Sequence, residues 1–505
     1  MKPQKIKSKR QKLFRNTIYG IVSWLFPIIP TFVITPIVIK TLGNELYGLY
    51  VIILGFTGYF FTLNVGKAAT KYVAEYKASG QIEKISNAVS ATLLFGLAVG
   101  SITTATLAIF ARYFVGDVLQ IDEPLQRTAI IALYLGCLNI LVSMLGLTFQ
   151  SILQGLQRFD AFMLITNATS VLLTVGTLAA VISGYGVIAM FSVSLAVSVI
   201  SALVAMVLVK RLLPELHLRL RVGREPWSEV WRYGMSIMAY QLFGSALLLF
   251  ERSWITRRFG PEALTFYVVP MTLAVYLQTF IASLVLAIFP VINEHLSERQ
   301  ILAELYKQAT RLILIILAFA GISSAVGGRL FLELWLNREF AELSYELLLL
   351  QMVVFSVVSL SMLVWQIAES FRAASLTAAA NFIWMTVSVP LMVYFSYEWQ
   401  TLGVAYARLV GVAVYIPLIV YIEKRFLGGV FWFFWSALIV RVLGAMIAAG
   451  SVEYFLLGLM SHSWISLSLS VLIGGVTYLT FLYLFRLIST DEGLMLRDAI
   501  FGSRW

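Results

Sequence analysis

The chain has 505 residues, 60% of them hydrophobic and only 12% charged, with a mean hydropathy of +0.87. A soluble domain carries about 25% charged residues, so most of this chain has lipid as its solvent. The single cysteine, Cys137, excludes an intrachain disulfide, and His217, His295 and His462 show no metal-ligand spacing. No cofactor or metal is therefore expected. The net charge of +11 is spread over short polar segments, with no separate basic domain; it reads as orientation charge on membrane loops, and nucleic acid is not an expected partner.

The basic segment 1–16 precedes an apolar run, 17–39, which lacks a small-x-small cleavage site. At 23 residues the run is long enough to span a bilayer, so it reads as a retained first span and not a signal peptide. On a ruler of about 20 apolar residues per crossing, thirteen more spans follow. They are 46–66, 87–111, 128–153, 160–183, 187–209, 234–256, 265–289, 310–328, 345–368, 375–395, 401–421, 442–459 and 464–485. The cytoplasmic loop before the thirteenth is read as ending at Arg441, with FWFFW at 431–435 as an interfacial segment. An even count puts both termini on one side. Even with Arg441 left out of the count, the N-terminus, the even-numbered loops and the C-terminal tail hold 27 of the 37 Lys and Arg, which makes that side cytoplasmic.

The longest polar stretch, 210–233, falls between the sixth and seventh spans and divides the chain. The expected organisation is all-α: a basic N-terminus (1–16), an N-lobe (17–209), a cytoplasmic inter-lobe loop (210–233) and a C-lobe (234–425). Two further spans (426–485) and a cytoplasmic tail (486–505) follow. KTLGNELYGLY at 40–50 and RRFGPEALTFY at 257–267 match without gaps at Lys40/Arg257, Gly43/Gly260, Glu45/Glu262 and Tyr50/Tyr267. Each follows the first span of its half. A spacing of six helices preserves topology, so the halves read as parallel repeats related by pseudo-two-fold symmetry about an axis along the membrane normal.

Charges inside a bilayer cost several kcal/mol and mark pathways or buried pairs. In the seventh span Gln241, Ser245, Arg252 and Thr256 fall within about 60° on one helix face, which points Arg252 toward a lumen; snorkelling to outer headgroups is the alternative. Glu251 lies off that stripe, where an ion pair to a neighbouring helix and a coupling-ion role are equally open. The first span carries a stripe of Asn16, Gly20, Ser23, Pro27 and Thr31, and has no carboxylate. In the twelfth, Thr401, Arg408 and Tyr415 recur every seven residues, making Arg408 a second lumen candidate, with helix-helix hydrogen bonding as the alternative. Asn64, Lys67 and Lys71 share one face at the cytoplasmic end of the second span, where two cations could collect an anionic headgroup or act as positive-inside anchors.

These residues resemble the oligosaccharide and polysaccharide flippases, Wzx-like members of the superfamily that also holds multidrug exporters and the lipid II flippase. The resemblance rests on the basic N-terminus with Asn16, on Pro36 with LGNELYGLY, and on NVGKAATKYVAEY closing the second span. QGLQRFDAF at 154–162, FPVINEHL at 289–296 and the total of fourteen spans add to it. The family usually has an acidic residue where Asn64 stands and an apolar one where Lys67 stands. The resemblance implies two six-helix lobes around a V-shaped cavity in the inner membrane. Its implied substrate is a polyprenyl-pyrophosphate-linked oligosaccharide, moved from the inner to the outer leaflet by alternating access. The implied partners are that substrate, membrane lipids and a glycan polymerase with its chain-length machinery, around a monomer. A cation-coupled multidrug antiporter of the same fold is the alternative, disfavoured by arginines where organic cations would call for acids. A membrane-embedded glycan polymerase would need a long outer loop with an acid/base constellation, and none is present in the sequence.

Overall fold

The computed structural model describes residues 31–59, 66–78, 80–219, 222–371 and 373–487. Among the described residues there is no strand. Lipid requires this or a closed barrel, because a helix satisfies its backbone groups within its own segment. Helix α1 (Thr31–Leu42) ends at Gly43, and α2 (Asn44–Leu54) runs on into a π-helical turn, Gly55–Tyr59. Next come α3 (Gly66–Ala78), α4 (Ile82–Ile109), α5 (Glu123–Gly155), α6 (Phe159–Ile182) and α7 (Gly186–Leu212). The long α8 (Arg224–Glu294) is broken at Gly260. It is followed by α9 (Arg299–Trp335), α10 (Arg338–Ser370), α11 (Ala374–Val412, broken at Trp399 and Gln400) and α12 (Tyr415–Phe426). The described chain closes with α13 (Trp432–Leu459) and α14 (Trp464–Leu484).

Among the described residues ten helices are long and apolar enough to cross a membrane. Two of them, Ser245–Leu286 at 42 residues and Ser375–Phe426 at 52, are each long enough for two crossings of about 20 residues. Their breaks fall in outer loops expected from the sequence, after the seventh and eleventh spans. Most of the first expected span, and residues 60–65 of the second, lie outside the described residues. One expectation is corrected. The loop before the thirteenth span ends at Phe431, not at Arg441, because α13 incorporates both the aromatic segment and an exposed Arg441. The apolar residues around that arginine carry the helix through it.

By packing, the described residues divide into two compact units, one up to Thr265 and one from Phe266 onward. In the first, α3, α4, α5 and α7 share a core that includes Val73, Ile85, Val89, Phe149, Ile152 and Val209. In the second, Ile281, Ile313, Val354, Val364 and Tyr415 lie at the centre. There α13 and α14 dock on α9 through Ala318, Leu438, Ala445 and Tyr478, whose hydroxyl donates to the Ile315 carbonyl at 3.0 Å. The fully buried Glu423 ties α9, α12 and α13 together by accepting from Tyr306 Oη (2.8 Å), Trp435 Nε1 (2.7 Å) and Phe431 N (3.1 Å). Three donors keep a carboxylate tolerable away from water.

The sequence repeat is also a backbone repeat. Gly43 has φ 86° and ψ 164°, and Gly260 has φ 84° and ψ 168°. Only glycine occupies that region without strain. A Cβ on either residue would meet nothing within 4 Å, so the demand is purely conformational. Gly43→Ala and Gly260→Ala should each destabilise the protein by about 1–3 kcal/mol. Thermal unfolding of detergent-purified variants checks this; unchanged melting of both would show that the two breaks do not need the glycines.

Candidate functional site

The two copies of the repeat touch one another inside the first unit. A Cβ on Gly48 would lie 1.7 Å from the Pro261 carbonyl oxygen, so α2 crosses the segment after Gly260 in direct backbone contact. Thr265 Oγ1 donates to the Asn44 carbonyl at 2.6 Å, and Asn44 Nδ2 to Glu262 Oε1 at 3.4 Å. The stretch that reads in sequence as a polar interruption is thus one half of a clasp, with its own copy as the other half.

Along the same two helices, away from the clasp, Arg252 lies against the π-helical turn. A Cβ on Gly55 would stand 3.3 Å from its Nη1, so glycine makes room for the guanidinium. Arg252 is 6% exposed, and both Glu251 and Thr256 are buried. Such burial does not suit a side chain snorkelling to the headgroups. Thr57, within the turn, donates to the Ile53 carbonyl at 2.9 Å and packs on Gly136 of α5, which pins the turn in place. Single-turn π elements inside α-helices frequently mark functional sites. Ser245, from the expected polar stripe, is half-buried on the same helix.

In the second unit Arg408 is 4% exposed and held by aromatic faces. Its guanidinium carbon lies 4.8 Å from the Phe355 ring centroid and 5.5 Å from that of Trp384, and Nη1 reaches Met271 Sδ at 3.8 Å. Tyr415, two turns along, packs on Trp365 and Trp384 and donates to Asn381. Thr401 is half-buried, so the expected seven-residue stripe does face the interior. A planar cation against two rings gains cation–π attraction that strengthens when water is excluded.

The remaining expected residues are less gathered. Lys71 is exposed, with Nζ 4.9 Å above the Tyr72 ring. Thr31 is half-buried at the start of α1. Asn64 lies outside the described residues, as do the side chains of Lys67 and Gln241. Among the described residues no group of three His, Cys, Asp or Glu could hold a metal ion. Sequence reasoning missed Phe355, Trp384 and Met271, although an arginine expected inside a membrane signals that such partners exist. It also missed the π turn, for which the sequence carries no local signal.

An all-α fold with many helices long and apolar enough to cross lipid, a helix break repeated in both halves and arginines buried inside it defines a multi-pass membrane protein. The chain matches the family described as "Polysaccharide biosynthesis protein" over residues 13–296, more than half its length, and it belongs to that family. Among solved structures it is similar to the lipid II flippase MurJ in an inward closed conformation, at 12% identity and a TM-score of 0.73, over 94% of this chain and 98% of that one. It is also similar to an inward-facing multidrug resistance MATE family transporter of the MOP superfamily, at 15% identity and a TM-score of 0.68, over 81% and 98% of the two chains. A MOP superfamily transporter from Pyrococcus furiosus gives a TM-score of 0.59 at 15% identity, over 82% and 94%. At these identities the likeness is one of fold. Among curated proteins no match is found.

The setting of Arg408 separates stacking from charge. Arg408→Lys keeps the charge and loses the planar stack, and should lower stability by about 1–2 kcal/mol. Arg408→Met, which fills similar space without a buried charge, should be tolerated as well as wild type or better. Thermal unfolding of the two variants checks the order; a lysine variant as stable as wild type would mean the rings do not hold the guanidinium.

Proposed function

We propose that the protein is a flippase that carries a polyprenyl-pyrophosphate-linked oligosaccharide from the inner to the outer leaflet of the inner membrane by alternating access. The observation that carries this reading is the pair of arginines buried in membrane-spanning helices of a polysaccharide biosynthesis family member. A pyrophosphate brings negative charge into low dielectric, where an arginine grips it with a planar, bidentate fork. On this reading Arg252 and Arg408 each bind the pyrophosphate within their own half, and Ser245, Gln241 and Thr31 are further substrate-binding residues. Asn64, Lys67 and Lys71 collect the headgroup at the cytoplasmic mouth, and Glu251 is the candidate for ion coupling. The two lobes, of six spans each, alternate as the clasp formed by 40–50 and 257–267 parts and re-forms, both termini staying cytoplasmic. The polyprenyl tail remains in lipid, the glycan crosses in the wet interior, and no covalent chemistry is required. A downstream glycan polymerase and its chain-length machinery are the partners that would consume the product.

Arg252→Gln and Arg408→Met should each lower surface glycan at least tenfold while protein level and membrane insertion stay normal. Immunoblots of membrane fractions beside surface-glycan staining read both quantities. Normal glycan in both variants would remove the arginines from the pathway. Resistance to cationic dyes on expression, with surface glycan unaffected, would favour the multidrug antiporter.

A further inference from the structure

The first unit contains a cavity that belongs to neither arginine. Helices α5 and α6 both pack along α7 and only slightly on each other. Small residues set this up: a Cβ on Gly146 of α5 would come within 3.2 Å of Ala202 on α7, and one on Gly176 of α6 within 2.6 Å of Val193 on α7. With both helices drawn onto α7, a cleft of about 270 Å³ opens between them and α7 forms its floor. That is several times the roughly 30 Å³ that one water occupies in the liquid.

The lining is uncharged and carries several hydroxyls and one carboxamide, set among apolar surface. Ser143 and Gln150 come from α5, Thr166 and Ser170 from α6, and Ser198 and Ser201 from α7, and no Lys, Arg, Asp or Glu lines the cleft. One side of it is built from internal bonds: Gln150 Nε2 and Thr169 Oγ1 both donate to the buried Ser201 Oγ, at 3.3 Å and 3.0 Å. Hydroxyls in membrane helices normally bond back to the carbonyl four residues earlier. Thr148, Thr166, Thr174 and Ser192 do so in these same helices. Ser143, Ser170 and Ser198 do not, and among the described residues their hydroxyls have no hydrogen-bond partner. Half-buried and lining the cleft, these three hydroxyls are open to bond with whatever occupies it.

We infer that this cleft is a subsite for the neutral sugar hydroxyls of a lipid-linked glycan, separate from the arginines. The inference rests on the flippase reading and divides the substrate by chemistry. Anionic pyrophosphate calls for arginine; a sugar ring, with many donors and acceptors and no charge, calls for a wall of hydroxyls and a carboxamide. An anion would find no cation here, and an apolar drug or lipid tail would leave the three serines unsatisfied.

Because none of the three hydroxyls bonds within the protein, the triple variant Ser143→Ala/Ser170→Ala/Ser198→Ala removes no internal hydrogen bond. Full-length protein in nanodiscs is titrated with two probes: polyprenyl pyrophosphate, and the same lipid carrying a neutral trisaccharide. The triple variant should bind the glycosylated lipid about tenfold more weakly than wild type does, and the bare lipid equally well. Equal affinity of variant and wild type for the glycosylated lipid, or equal weakening toward both lipids, would overturn the subsite and leave the flippase reading standing. Wild-type protein that binds neither lipid would overturn both.

Discussion

Lipid supplies no hydrogen bonds, and that constraint governs this molecule from its backbone to its arginines. It makes the chain helical and sends most span hydroxyls back onto their own helix, as at Ser90 and Thr92. It explains why Glu423 has three donors around it and why Arg408 lies between rings. Where a polar group is not satisfied inside the protein, the same constraint turns it into information. The serines of the α5–α7 cleft are informative for that reason.

Two kinds of polar setting therefore coexist. Arg252 and Arg408 are desolvated cations, one against a π-helical turn and one against aromatic faces, and both are suited to an anion. The cleft is uncharged and suited to hydroxyls. A lipid-linked sugar combines these two chemistries in one molecule, whereas an organic cation presents neither. The family to which the chain belongs and the proposed substrate are in that sense consistent at the level of individual side chains.

Much of the fold was legible because lipid leaves few options. Long apolar runs mark crossings, and the matched glycines at 43 and 260 announced a repeat whose backbone angles agree within a few degrees. Burial of Arg252 and Arg408 followed from their place within apolar runs. What the sequence did not carry was pairing between distant segments. Nothing in KTLGNELYGLY says that Gly48 will press on Pro261, and nothing around Phe355 says that it will meet Arg408. The packing division at Thr265 is of the same kind: helix α8 up to its break packs on α2 through contacts that hydropathy does not encode, although the longest polar loop lies earlier, at 210–233. The serine cleft has no charge to announce it, yet Ser143, Gly146 and Gln150 repeat at helical spacing along α5.

On the flippase reading, the clasp between the two repeats must part for the glycan to cross. Asn44→Cys with Glu262→Cys places a thiol on each half, and the native Cys137 is buried away from reagent. In proteoliposomes loaded with a polyprenyl-pyrophosphate-linked oligosaccharide, appearance of the glycan in the opposite leaflet should proceed in the reduced protein. It should stop when a short cleavable cross-linker joins the two thiols, and resume on cleavage. Glycan that continues to cross with the link intact would contradict the account.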